Sequence, residues 1–281
     1  MSGTLFVVAT PIGNLEDLSP RARQTLADVD LIAAEDTRHT GRLLSHFGVE
    51  TRLLALHDHN EADRAETVVR ELVAGRSVAL VSDAGTPLIS DPGYRLVKAA
   101  HEARINVSPI PGPSAMIAAL SVAGLATDRF CFEGFLPAKK KGRRDALAEL
   151  AHETRTMVFY ESVHRMEDSV ADMVDVFGGT RSVFLGREIS KMHEQCISTT
   201  LGELSRQVMN NEITQKGELV IVVAGGDHVT SSSIDSDKLL SELAAILPKK
   251  EAARIVASAT GEKRNALYQR LLDMASSAET D

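Results

Sequence analysis

Three short segments rich in glycine and proline carry the clearest chemistry in this 281-residue chain: TPIGN at 10–14, SDAGTPLISDPG at 82–93 and PIPGPSA at 109–115. Each follows a short apolar run. In an open α/β sheet, ligands bind beyond the carboxyl ends of the strands, where loop amides and helix N-termini cradle a negatively charged group. Any one loop also reads as a turn whose Gly and Pro serve geometry alone; three at one edge make a pocket. There is no GxxxxGK[ST], and no GxGxxG opens a helix after the first apolar run, so the site is neither a P-loop nor a simple dinucleotide fingerprint. His57 and His59, in LHDHNE at 56–61, stand two apart beside acidic residues but lack the further ligands of a zinc site. That segment reads as a polar cleft loop, and no metal is expected. Lys139, Lys140, Lys141, Arg143 and Arg144 place five basic residues in six positions just after Pro137. Such a cluster is a candidate for phosphate contacts, with a solvated loop as the plainer alternative.

The elements that must position these loops follow from periodicity. Apolar β-branched runs at 5–9, 31–34, 78–81 and 105–110 read as buried strands, and 20–29, 37–47, 62–74 and 93–103 carry helical periodicity. This alternation predicts right-handed βαβ units around a mainly parallel sheet covered on both faces. A second series of strands is expected at 130–133, 156–160, 182–187, 195–200 and 218–224. The reading is two α/β domains, 1–120 and 121–226, followed by a Gly- and Ser-rich linker at 227–237. A small helical domain, 238–281, then contains segments at 238–247, 249–259 and 263–274, broken by Pro248 and Thr260-Gly261. Ala257, Gly261, Leu267 and Leu271 have the spacing of a helix-turn-helix, and a plain helical hairpin satisfies the same spacing.

Composition narrows the partners. The formal charge is −8, and residues 1–130 and 131–281 carry −4 each, so there is no basic half to attract a polyanion. Aromatics are 4% with no Trp, which argues against a surface that stacks many bases. Cys131 and Cys196 lack CxxC spacing, so a disulfide framework and a cysteine zinc site are not expected, and a reducing compartment is. The longest apolar runs fall far short of the roughly 20 residues a membrane span needs. With no basic stretch ahead of the first run, a cytoplasmic protein is expected.

Taken in order, TPIGNLEDLSPRA, AEDTRHTGRLL (34–44), LHDHNE, SDAGTPLISDPG, PGPSA, FYESVHR (159–165), REISKMHE (187–194) and KGE (216–218) resemble the bacterial small-subunit ribosomal RNA cytidine 2′-O-methyltransferases. These belong to the tetrapyrrole-methylase-like class of S-adenosylmethionine (SAM) enzymes. The likeness runs from about residue 3 to residue 274. It implies two α/β domains of the tetrapyrrole-methylase type with SAM in the cleft between them, a helix-turn-helix-like attachment, and a homodimer. The implied reaction is methylation of the ribose 2′-hydroxyl of a decoding-centre cytidine in 16S rRNA of the small ribosomal subunit. Carried over by motif, the cofactor residues are Pro11 and Gly13; Asp83, Ala84, Gly85, Thr86, Pro87, Ile89 and Ser90; Ser114 and Ala115; and, from the second domain, Tyr160, Lys216, Gly217 and Glu218. Arg264-Asn265 stands where relatives are expected to carry Lys-Asn, which keeps the charge.

SAM presents a sulfonium, a carboxylate and an adenine, and loops of Gly and Pro expose the main-chain groups such a ligand needs. A ribose hydroxyl must lose its proton to attack, so a base or a polarising cation is expected. The catalytic candidates are Glu161 and His164 in FYESVHR, and Glu188, Lys191, His193 and Glu194 in REISKMHE, with no choice among them. In the second motif Arg187, Glu188, Lys191 and Glu194 also read as a solvated ion-pair face. Arg165 and Arg187 suit bidentate binding of RNA phosphate, beside the 139–144 cluster and Lys263 and Arg264 in the tail. An acidic body with local basic patches favours an assembled particle over free RNA. Two other readings compete: a C-methyltransferase on a tetrapyrrole precursor, and a non-catalytic RNA-binding assembly factor on the same fold.

Overall fold

LIAA and VALV, the strands β2 (Leu31–Ala34) and β4 (Val78–Val81), are buried at every position. Strands covered on both faces read this way, as continuous apolar runs. In the computed structural model, which describes residues 2–57, 60–226 and 236–277, they lie in a five-stranded sheet with β1 (Thr4–Val8), β3 (Leu53–Ala55) and β5 (Asn106–Ile110). The order is β3-β2-β4-β1-β5, and every pairing is parallel. Alternation sorts the core. Leu31, Ala33, Val78 and Leu80 pack on one side with α3 (Glu61–Val73) and α4 (Tyr94–Glu102); Ile32, Ala34, Ala79 and Val81 pack on the other with α1 (Pro20–Asp28) and α2 (Thr37–His46).

The second sheet, in the order β6-β7-β10-β8-β9, contains β6 (Phe130–Phe135), β7 (Thr156–Ser162), β8 (Ser182–Arg187), β9 (Gln195–Thr200) and β10 (Glu218–Val223). Only β6 and β7 are parallel; the other three pairings are antiparallel. Residues 188–194 are too few for a crossover, which takes a dozen or more, so β8 must turn back on β9. One face of this sheet packs on α6 (Lys140–Glu149), α7 (Met166–Phe177) and α8 (Leu201–Met209). Its other face packs on α5 (Ala115–Val122), through Ala119, Leu120 and Ala123 against Val158, Phe184, Val220 and Val222. Thus α5 leaves the third Gly/Pro loop and runs directly into the core of the second sheet. Both sheets belong to one compact unit, residues 1–226.

Residues 227–281 form a second unit. Most of the expected linker, 227–235, lies outside the described residues. Here α9 (Ser236–Ala244), α10 (Lys249–Thr260) and α11 (Arg264–Ser277) share a core of Leu240, Ala252, Ala253, Val256, Leu267 and Leu271. Helix α10 ends at Gly261 in the left-handed region (φ 75°), a C-cap that favours glycine. No helix among the described residues is long and apolar enough to cross a membrane.

The basic segment is the main departure from expectation. Instead of a loop, Lys140–Glu149 is helix α6, and it turns Arg143 inward.

Candidate functional site

The three Gly/Pro loops are stitched together by backbone. Thr10 and Gly85 exchange N–H···O bonds of 2.9 and 3.0 Å, so the first loop pairs with the second as a one-residue bridge. Thr86 Oγ1 donates to the Pro113 carbonyl at 3.0 Å, which ties the second loop to the third. Gly85 needs its positive φ of 80°, and a β-carbon there would press on Ile12. Leu88 and Ser90 hold φ of 73° and 67° without being glycine, a strain that the surrounding bonds must maintain. The far end of the second loop is fixed from α3: Glu61 is buried, and its Oε1 accepts from the Gly93 and Arg95 amides at 3.1 and 2.7 Å. LHDHNE therefore serves the site through Glu61. His57 lies in the turn ahead of α3, its amide donating to Asn60 Oδ1 at 2.9 Å; His59 lies outside the described residues. Among the described residues, no group of three His, Cys, Asp or Glu side chains is placed to hold a metal ion.

Together with the ends of β6, β7 and β10, these loops enclose a cavity of about 400 Å³, within the usual range for small-ligand sites. Of the residues assigned to the cofactor, Asp83, Ala84, Gly85, Thr86, Ile89, Ser90, Ser114, Ala115, Tyr160, Gly217 and Glu218 line it. Pro11, Gly13, Pro87 and Lys216 do not. Pro11 and Pro87 are buried behind the wall. A β-carbon on Gly13 would collide with the Lys191 stem, so Gly13 serves that crossing. The Lys216 carbonyl accepts from Arg187 Nη1 at 2.9 Å. Ile12, Glu35, Asp91, Phe135, Glu161, Ser162, Gly186, Ile189, Leu219 and Val220 complete the lining. Six of these sit inside the quoted motifs; Phe135, Gly186, Leu219 and Val220 do not.

The charge of the lining differs from the expected anion cradle: Glu35, Asp83, Asp91, Glu161 and Glu218 are all carboxylates. Asp83 is oriented by the Asp36 amide, which donates to its Oδ1 at 3.0 Å. The cavity thus suits a ligand bearing positive charge on an otherwise apolar body. The Tyr160 hydroxyl accepts from the Met116 amide at 3.2 Å, at the first turn of α5, and burial pushes its pKa up. It is fixed as a neutral wall.

The catalytic candidates are all committed or remote. Glu161 is 3% exposed; it accepts from the Ser162 amide at 2.7 Å and Ser169 Oγ at 2.5 Å, and pairs with Arg165 at 2.6 Å. It lines the cavity, but these three partners take up its carboxylate, so it braces the wall. His164 and His193 are exposed and absent from the lining. Glu194 is also exposed, its Oε2 accepting from the Ser190 amide at 2.7 Å. Lys191 Nζ bonds Glu188 Oε1 at 2.8 Å and Glu218 Oε2 at 3.1 Å. Burial lowers the lysine pKa, but the two carboxylates outweigh it, so the net shift is upward. Lysine hydrogen bonding in turn lowers Glu188. Lys191 is a fixed cation, not a base.

Three arginines expected on RNA are likewise spoken for. Arg143 is 1% exposed, 2.7 Å from Asp172 and bonded to the Ala138 carbonyl. Arg165 bonds Glu161 and, at 3.1 Å, the Leu136 carbonyl. Arg187 is 8% exposed and donates to Gln195 Oε1 and to the carbonyls of Lys216 and His193. The buried Arg143 and Arg187 guanidiniums, ringed by protein acceptors, have no face for a phosphate, and Arg165, 26% exposed, is held by Glu161 and the Leu136 carbonyl. Arg144 is half-exposed and pairs with Asp175 at 2.8 Å. Lys139, Lys140 and Lys141 remain exposed at the start of α6, as do Lys263 and Arg264 where α11 begins.

Comparison with known proteins places this arrangement. Residues 4–205 match the family described as Tetrapyrrole (Corrin/Porphyrin) Methylases, and residues 230–275 match the RsmI C-terminal HTH domain. The chain is 54% identical over 273 residues to Ribosomal RNA small subunit methyltransferase I of Escherichia coli O157:H7, covering 96% of this chain and 95% of that protein. To its namesake in Synechocystis it is 47% identical, covering 97% and 98%. Among solved structures, the methyltransferase CobJ superposes with a TM-score of 0.58 at 20% identity, covering 80% of this chain and 95% of that one. Uroporphyrin-III C-methyltransferase of Thermus thermophilus, complexed with S-adenosyl homocysteine, gives 0.57 at 16%, covering 79% and 97%. With two α/β sheets joined through α5, a cavity at the stitched loops and a C-terminal helical unit, the chain belongs to the tetrapyrrole (corrin/porphyrin) methylase family.

Proposed function

We propose that this protein is a SAM-dependent methyltransferase that 2′-O-methylates the ribose of a decoding-centre cytidine in 16S rRNA. The observation that carries this reading is the pairing of an acid-lined, cofactor-sized cavity with a separate C-terminal helical unit in one chain. The solved tetrapyrrole methyltransferases cover about a sixth less of the chain than the ribosomal RNA methyltransferases do. A small tetracarboxylate substrate has no use for an extra helical unit, or for the exposed lysines of α6.

The cavity fits SAM. When bound, SAM supplies a methyl group activated by the attached sulfonium. Glu35, Asp83, Asp91 and Glu218 complement the sulfonium and ammonium charges, the amides of Ala84, Thr86, Ser114 and Ala115 offer main-chain donors, and Ile12, Ile189, Leu219 and Val220 give apolar walls. Methyl transfer is an in-line displacement, so much of the rate comes from holding the 2′-oxygen at near-attack distance. Lys191, kept protonated between Glu188 and Glu218, supplies a fixed positive charge beside the Glu218 edge of the cavity.

Lys139, Lys140 and Lys141 support an RNA substrate. Cations in the first turn of a helix oppose its macrodipole, at roughly 0.3–1 kcal/mol each, and a phosphate there reverses the sign. We further propose a homodimer acting in the cytoplasm on the assembled small subunit, since an acidic body repels naked RNA. Incubation with labelled SAM and small subunits from cells lacking this enzyme should place label in 2′-O-methylcytidine. No label there, with uptake by uroporphyrinogen or a precorrin, would move the assignment to the C-methyltransferases; equal labelling of protein-free rRNA would remove the preference for the particle.

A further inference from the structure

We propose that Phe135 is the platform on which the base of the acceptor nucleotide stacks while its ribose faces the cavity. This rests on the RNA methyltransferase reading above and adds to it a residue that reads the substrate.

A backbone irregularity puts Phe135 there. In β6, Phe132 pairs with Val158 of β7, but the next registered pairs are Gly134 with Phe159 and Phe135 with Tyr160, so one residue of β6 is extra. Side chains three apart on a regular strand point to opposite faces. The bulge brings Phe132 and Phe135 onto the same face, that of Tyr160, as bulges beside active sites do when they re-aim a side chain. Gly134 supplies the positive φ of 65°. A β-carbon there would meet only Ser90 Oγ, at an ordinary 3.6 Å, so the glycine is needed for its conformation rather than for space.

The three rings form a ladder. Tyr160 lies edge-to-face with Phe132 at a centroid distance of 4.9 Å and with Phe135 at 5.7 Å. The Met116 amide pins the Tyr160 hydroxyl, so the ladder is held from its centre. Yet Phe135, its outer ring, stays 55% exposed while lining the cavity. An exposed phenylalanine alone is ordinary in a protein. A phenylalanine re-aimed by a bulge, braced by a second ring and left bare at a cavity mouth has the form of a base-stacking surface, which RNA-binding sites use for unstacked nucleotides.

The chain beyond Phe135 suits the rest of a nucleotide strand. Leu136 is buried, and its carbonyl is bonded by Arg165, which is itself held by Glu161. That fixes the turn through Pro137 that leads to Lys139, Lys140 and Lys141. Lys139 is four residues from Phe135, within about 14 Å along the backbone. A base on Phe135 would thus have exposed ammonium groups within reach of its flanking phosphates.

The test compares Phe135→Leu, Phe135→Ala and Phe135→Tyr in methyl transfer to unmethylated small subunits at saturating SAM, with SAM affinity measured separately by calorimetry. Leucine keeps apolar volume but has no π-face. The expected result is a loss of about 5- to 150-fold in kcat/KM for Phe135→Leu and Phe135→Ala. Phe135→Tyr should restore transfer to within about threefold, because it keeps the ring. Because Phe135 lines the mouth of the cavity, SAM affinity can shift in all three, but by much less than transfer falls in Phe135→Leu and Phe135→Ala. Full activity in Phe135→Leu would overturn the proposal, as would a fall in SAM affinity that accounts for the reduced transfer, since the ring would then belong to the cofactor.

A second readout separates this proposal from the reading beneath it. The chain has no Trp, so Phe135→Trp carries the only indole, and its fluorescence should be quenched when unmethylated small subunits are added. Quenching without wild-type methylation of the particle would keep the platform and sink the methyltransferase assignment. Wild-type methylation without quenching would do the reverse.

Discussion

Lys191 lies across Gly13: a β-carbon at residue 13 would stand 2.6 Å from Lys191 Cε and 2.8 Å from Cδ. Beyond that crossing, the ammonium reaches Glu188 and Glu218. The segment carrying Lys191 is further tied to the short helical turn after the first loop by a hydrogen bond from Ser190 Oγ to Asp17. One glycine thus lets the 188–194 connection of the second sheet close down on the first loop of the first sheet.

Gly13→Ala should therefore harm more than the backbone. With φ at 144°, any side chain is strained there, at about 1–3 kcal/mol, and Lys191 must also move. Gly48 is a control: its φ is 67° and nothing lies within 4 Å of a β-carbon there. Both alanine variants should lower the urea midpoint, but only Gly13→Ala should weaken SAM binding, by about tenfold or more, a shift of about 1.4 kcal/mol in calorimetry. Equal SAM affinity in the two variants would show that the crossing does not shape the cavity.

The same contact sets a pH dependence. Glu188 is lowered from 4.5, chiefly by hydrogen bonding from Lys191. Its contribution to stability is present above 4.5 and is lost as pH falls through the folded value. Lys191 is raised from 10.5, because its two carboxylate partners outweigh the opposing and larger single effect of burial. Its contribution is complete below 10.5 and is lost as pH rises through the folded value. The stability difference between wild type and Glu188→Gln should therefore be flat from about pH 5 to 10 and shrink below about pH 4. For the same reason, no lysine limb should appear in the rate profile between about pH 6 and 9, and Lys191→Arg should keep its shape.

Glycine and proline made the cavity legible in the sequence, because the conformations they permit are local. Eleven of the fifteen expected cofactor residues line it, and the other four stand behind it or brace it. What the sequence hid was partnership at a distance. Arg143 and Asp172 are 29 positions apart, and nothing in KKKGRR distinguishes the one buried guanidinium from its exposed neighbours. FYESVHR did contain a signal: Glu161 and Arg165 are an i, i+4 pair, which points to mutual commitment rather than to catalysis. The parallel first sheet followed from alternating strands and helices. The antiparallel pairings of the second depended on the shortness of 188–194, a length that the reading of REISKMHE as chemistry obscured. Phe135 escaped because a bulge breaks the period-2 rule that assigns strand faces.

Removing one member of a buried ion pair strands the other. Arg143→Ala should cost about 3–5 kcal/mol, leaving Asp172 in the interior with only the more distant, half-exposed Arg144 at 3.8 Å, whereas Arg143→Met with Asp172→Leu should come close to wild type. Chemical denaturation of the two variants decides this. If Arg143 instead served RNA from an exposed position, the single variant would keep its stability and lose particle binding.

Lys139, Lys140 and Lys141 should behave in the opposite way. They are exposed at the start of α6, where they oppose the helix dipole, so replacing all three by serine should leave stability unchanged or slightly higher. SAM affinity should not move, because none of the three lines the cavity. Particle binding should weaken, and the slope of log K against log salt should fall by about 0.7–0.9 for each phosphate no longer neutralised. The slope matters more than the affinity: a folding defect lowers binding at every salt concentration alike, and only the release of phosphates from the lysines changes how steeply salt weakens it. An unchanged slope in the triple variant would remove this turn from the RNA interface and leave Lys263 and Arg264 of the C-terminal unit as the next residues to neutralise.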